Sequence, residues 1–111
     1  MPITNDFGVF VTFKQWTCVA QVHHYSNNQK AICLVDAEDG EPIATASVNI
    51  SEWTQMENEI YIKEYSENTG MTSALINAGI IYPDARTIGY GPYQAPVSIA
   101  TLKHPELWKK K

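Results

Sequence analysis

The side chains with chemistry to offer are few, and most are badly placed for catalysis. His23 and His24 are neighbours in a strand-like run, so their imidazoles point to opposite faces and cannot hold one ion together; His104 lies far off among Lys and Pro. Cys18 and Cys33 have neither a CxxC spacing nor a base at recognisable distance, and no serine sits in a G-x-S-x-G elbow. The expectation is a protein that is not an enzyme and that has no catalytic residue, no metal site and no cofactor.

Carboxylates form the densest group. Asp36, Glu38, Asp39 and Glu41 fall within six residues around Asp39-Gly40. They lack the ligand pattern of a calcium loop. Such a group reads either as a solvated hairpin tip or as an acidic patch that engages a basic protein groove, where clustered charge speeds and orients the encounter. A second group is Gly89-Tyr90-Gly91-Pro92-Tyr93. Tyr90 and Tyr93 could stack on a base while glycine N–H groups approach phosphate, with Arg86 as the only nearby cation. The competing reading is a strand that bulges at Gly89 and Gly91 to cross a sheet edge. The third group is Tyr65-Ser66-Glu67-Asn68. Here Ser66 or Asn68 caps a helix with Tyr65 packed beneath it, or Tyr65 and Glu67 form a contact patch for a partner.

These groups need a frame. Val9–Phe13 and Thr17–Val22 are rich in β-formers, and Lys14-Gln15-Trp16 between them is a tight turn or a bulge in one bent strand. Ala31–Val35 is apolar throughout, as expected of a central strand covered on both faces. Asp39-Gly40 followed by Pro42 predicts a hairpin, after which Ile43–Ile50 alternates, with Ala44, Ala46, Val48 and Ile50 on one side. The returning strand should bury Ile32 or Leu34 against Ala46 and Val48. Ser51–Asn58 is a polar connection whose Trp53 folds back as a plug. Ile60–Ile62 reads as a short strand, and a helix is expected from near Thr69, with Met71, Ala74, Leu75 and Ala78 on one face and Gly79 as its left-handed terminus. About ten residues make no stable helix alone in water, so a sheet must hold it. Ala95–Leu102 is a last alternating strand. Cys18 and Cys33 fall on strands that look like hairpin partners, and with no secretory signal they are expected as two reduced, buried thiols.

Composition narrows the partners. The 111 residues fit one domain, with residues 103–111 as a basic tail. Three of the eight basic residues are Lys109-Lys110-Lys111, which leaves five against twelve acidic ones in the body. A duplex-binding face needs clustered basic residues, so direct DNA binding is not expected. Apolar runs of four or five residues fall far short of the roughly 20 of a membrane helix, and MPITNDFG has no signal-peptide character. A cytoplasmic protein without membrane contact is expected.

Four segments in order, KAICLVDAEDGEPIATASVNI, IYIKEYSENTGM, ALINAGII and GYGPYQAPVSIATL, resemble a family of small uncharacterised proteins of bacteriophages and conjugative mobile elements. The shared pattern is a hairpin "DxxGEPxAT.SVN" followed by "IKxYSENxGM…AGI", and the likeness covers roughly residues 29–102. Thr69 departs from it, standing where an acidic residue is common. The resemblance implies an accessory protein of a mobile element, a setting in which small acidic non-enzymatic proteins antagonise host defence. The expected fold is α+β, an antiparallel β-sheet of about five or six strands with one short helix packed on one face, or a small barrel of the same strands. The expected function is a non-catalytic inhibitor of a host defence system such as a CRISPR effector, anti-CRISPR-like, acting by protein–protein contact. The partner would be a host protein, such as a nucleic-acid-binding defence complex. The alternatives are a module that sequesters a small molecule or cyclic nucleotide, and a homo-oligomeric accessory protein, for instance a homodimer.

Overall fold

A computed structural model describes residues 3–109. Seven strands and one α-helix follow in the order β1 (Phe10–Phe13), β2 (Trp16–His24), β3 (Lys30–Asp36), β4 (Pro42–Thr45), β5 (Glu59–Lys63), α1 (Met71–Asn77), β6 (Arg86–Tyr90) and β7 (Ala95–Thr101). Short 3-10 turns occupy Ser66–Asn68 and Pro105–Trp108. The class is α+β, as expected, with the strands divided between two antiparallel sheets ordered β1-β2-β3-β4 and β5-β7-β6.

The undecided segment after β1 is a hairpin turn. Phe13 pairs with Trp16, leaving Lys14 and Gln15 as the two loop residues, and Lys14 takes a φ of 54°. Apolar Ala31–Val35 lies inside β3, flanked by β2 and β4 and buried along most of its length. Ala20 faces Leu34 and Val22 faces Ile32, so one side of β2 and β3 is continuously apolar. Cys18 lies opposite Asp36 and Cys33 opposite Gln21. The two cysteines therefore occupy neighbouring strands but opposite faces, and both are free thiols.

Why two sheets form is visible in residues 43–50. The alternation predicts one long strand, but only Pro42–Thr45 pairs with β3, with a bulge that lets Leu34 meet Ala44 and Val35 meet Pro42. The next residues change partner. Ala46 N–H still donates to Ile32 O at 2.8 Å, while Ala46 O accepts from Lys63 N–H at 2.9 Å and Val48 N–H donates to Tyr61 O at 3.0 Å. Ser47 bridges to Ile62, and its Oγ accepts from Ile32 N–H at 3.0 Å, completing a ladder position with a side chain. The expected burial of Leu34 and Ala46 holds, since both lie in one cluster. Val48 does not join them: beyond the corner it packs with Ile50, Tyr61 and Val97.

The main core lies between the sheets. Ile32 and Leu34 from the first sheet meet Ile60, Ile62 and Ala100 from the second, and Met71, Ala74 and Leu75 of α1 close it. The helix runs seven residues and ends through Gly79 at φ 79°. Its start is not capped by Ser66 or Asn68. Gly70 N–H and Thr72 N–H donate instead to the Glu64 carboxylate, at 2.6 and 2.8 Å. Asn68 is buried, and its amide donates to Thr45 O at 2.7 Å, tying the turn before the helix to β4.

Part of the basic tail is docked. Trp108 is a core residue, packed edge-on against Phe7 with its indole N–H donating to His23 O at 3.0 Å. Lys109 pairs with Glu57. Lys110 and Lys111 lie outside the described residues.

Candidate functional site

The acidic group sits where the sequence puts it, on the turn between β3 and β4. Two of its members are structural. Asp36 Oδ1 accepts from Glu38 N–H at 2.8 Å, and Asp39 Oδ1 accepts from Glu41 N–H at 2.9 Å. Main-chain bonds from Asp36 N–H to Glu41 O and from Gly40 N–H to Asp36 O complete the turn. Gly40, at φ 77°, supplies the left-handed residue that the reversal requires. Glu38, Asp39 and Glu41 are exposed. The result is a braced turn that presents carboxylates to solvent.

Tyr65 and Glu67 do meet, through a residue that the sequence reading passed over. Lys63 Nζ lies 5.1 Å from the Tyr65 ring centre and 3.1 Å from Glu67 Oε2. Hydrogen bonds from its own backbone N–H and then from Lys63 hold the Glu67 carboxyl below the usual carboxylate range. Lys14 Nζ donates to Glu67 O at 2.7 Å, fastening this patch to the β1–β2 turn. The four-residue spacing of Lys63 and Glu67 was a signal for the pair, but it is recognised on helices, and here it spans a strand end and a 3-10 turn.

Tyr90 belongs to a packed layer on the outer face of the second sheet. Trp53 meets Tyr61 and Tyr90 edge-on, at ring-centre distances of 5.4 and 5.5 Å, which is the plug expected of the connection. Tyr90 hydroxyl donates to the Glu52 carboxylate at 3.0 Å, and this bond pushes the phenol up from its ordinary pKa. Tyr93 is 94% exposed at the turn after β6. Arg86 is exposed at the far end of β6, opposite Ile99. Strand β6 pairs with β7 in unbroken register, so Gly89 and Gly91 make no bulge. Gly89 instead makes room for Gln94, which would collide with any Cβ there. The nucleotide-gripping loop thus resolves into a hairpin with Tyr90 committed to Glu52 and Trp53 and with Arg86 four residues away along the strand.

His23 and His24 are both exposed at the end of β2. Among the described residues no three His, Cys, Asp or Glu side chains group to hold a metal ion, and no helix is long and apolar enough to cross a membrane. Comparison with protein-family models, curated proteins and solved structures finds no match.

Proposed function

We propose that the chain is a non-catalytic binding protein of a phage or mobile element that inhibits a host defence machine, of the CRISPR-effector kind, by protein–protein contact. The observation that carries this reading is the braced acidic turn: Glu38, Asp39 and Glu41 stand outward on a backbone held by the Asp36 and Asp39 side chains. A turn fixed before binding loses little conformational entropy on docking. Its charge favours a partner surface that is basic, as the nucleic-acid groove of such a machine must be. The Tyr65–Lys63–Glu67 patch is a second contact element, at the end of β5 and anchored to the first sheet through Lys14 and Asn68.

The test is competition between this protein and target DNA for purified CRISPR effectors. A charge-neutral variant with Asp36→Asn, Glu38→Gln, Asp39→Asn and Glu41→Gln keeps an Oδ1 acceptor at both structural positions, so the turn survives while its charge is removed. Inhibition by the native protein and its loss in this variant support the reading. Equal inhibition by both excludes the acidic turn as the contact.

A further inference from the structure

The second sheet ends in an open strand. In β7, Pro96 has no N–H and its carbonyl accepts from Glu64 N–H at 3.2 Å, so Pro96 and the alternate residues Ser98 and Ala100 turn their main-chain groups toward β5. Gly89 and Thr87 of β6 lie across from Pro96 and Ser98. Their N–H and C=O groups therefore point away from β7, and no main-chain bond from elsewhere in the described chain reaches them. The other edges are protected. β4 opens with Pro42 and carries a bulge, β5 is covered by Ala46 and Val48, and four-residue β1 lies against α1. β6 has no proline, lysine or bulge, and all of it up to Tyr90 is exposed.

The outer side chains of this strand complement themselves. Arg86, Ile88 and Tyr90 alternate on that face, with Ile88 37% exposed. Arg86 has no ion-pair or hydrogen-bond partner among the described residues. At the other end of the strand, the Glu52 carboxylate accepts from the Tyr90 and Ser51 hydroxyls and has no cation beside it among the described residues. An antiparallel copy reverses the order of these charges. With a two-fold axis at Ile88, Thr87 meets Gly89 of the second copy as a pair that exchanges both main-chain bonds, on either side of the axis. Ile88 meets its counterpart with side chains roughly 5 Å apart, and Arg86 falls opposite Tyr90 of the second copy, within reach of the carboxylate bonded to that phenol.

We propose that the protein forms a symmetric dimer by pairing β6 with β6 of a second copy, which joins the two three-stranded sheets into one continuous sheet. Ile88 is its apolar centre, and Arg86 and Glu52 are its ion pairs. The interface does not depend on the acidic turn, which belongs to the other sheet. Short edge strands make an interface at the low end of specific ones, so association is to be followed up to about 1 mM protein.

The experiment is sedimentation equilibrium of the whole chain from about 10 µM to about 1 mM, with amide hydrogen exchange read by NMR on the same samples. Expected are a monomer–dimer equilibrium and exchange of the Thr87 and Gly89 amides that slows severalfold as concentration rises. Arg86→Glu sets like charges against each other across the axis and should weaken association by about tenfold or more, leaving the melting temperature of dilute protein unchanged. Combining Arg86→Glu with Glu52→Arg should restore association, because the reversed charges meet in the same places. Ile88→Lys opposes two ammonium groups at the axis and should abolish the dimer, which decides the matter if the double variant does not fold. A monomer at the highest concentration, a dimer unmoved by Arg86→Glu or Ile88→Lys, a folded double variant no tighter than Arg86→Glu, or a dimer whose Thr87 and Gly89 amides exchange as in the monomer overturns the proposal.

Discussion

Single side chains do more of the joining here than sequence motifs suggest. Ser66 and Asn68 are good capping types in the right place, yet the carboxylate that caps α1 comes from Glu64, six residues before Gly70. No capping pattern is read at that spacing, because it depends on the chain folding back through the Ser66–Asn68 turn. Glu64→Ala should cost about 0.5 to 2 kcal/mol, the usual effect of losing a cap, whereas Ser66→Ala should leave the cap intact; thermal melts of the two variants check this. Asn68→Ala should also destabilise, by about 1 to 3 kcal/mol, because it removes a buried side chain and takes away the donor that the Thr45 carbonyl has in its amide. A melting temperature unchanged in Asn68→Ala would mean that another donor reaches Thr45 O. Glu67→Gln changes an exposed side chain in a surface ion pair, so it should leave stability nearly alone while weakening any partner that reads the Tyr65–Lys63–Glu67 patch.

At the level of elements, the strands that alternate or run apolar were legible, and their grouping was not. β7 follows from alternation, β3 from an unbroken apolar run and β5 from its β-formers, and the turn before β4 follows from Asp39-Gly40. The corner at Ala46–Val48 is invisible in the sequence because both partners bury the same parity of residues, so the alternation runs on unbroken while the chain changes sheets. Trp108 was missed for a different reason: its basic neighbours suggest a solvated end, whereas its packing on Phe7 and its hydrogen bond to His23 dock it. Leu34, fully buried at the centre of β3, is the position on which the first sheet rests. Leu34→Ala should lower the unfolding free energy by about 2 to 5 kcal/mol in urea titration. The opposite faces of Cys18 and Cys33 predict two free thiols in the unreduced, denatured protein. Burial raises both thiol pKa values, so alkylation of the native protein should be slow near neutral pH, quicken as pH climbs above the ordinary thiol range, and reach partly exposed Cys33 before buried Cys18.

On the scale of the whole molecule, the acidic turn and the cavity beside Lys30 lie at opposite ends of β3. Six residue steps separate Lys30 from Asp36, roughly 20 Å at the rise of an extended strand. That is about twice the screening length at 0.1 M salt, so charge removed at the turn should be felt weakly at Lys30. The acidic cluster was legible because it coincides with the strongest turn signal, whereas the cavity was not, since its walls are two polar loops that Gln29 and Lys30 bring together. With the four turn carboxylates neutralised, association with a basic-grooved partner should slow by tenfold or more at low ionic strength, the lower range of electrostatic steering. Native and variant rates should converge as salt rises, because screening removes from one protein what mutation removes from the other. Dissociation should change less, since exposed charges act mainly on encounter. Stopped-flow association across a salt series resolves these outcomes. A rate that is salt-independent in the native protein, or equal in both proteins at low salt, rules out steering by the turn and moves the contact to the Tyr65–Lys63–Glu67 patch.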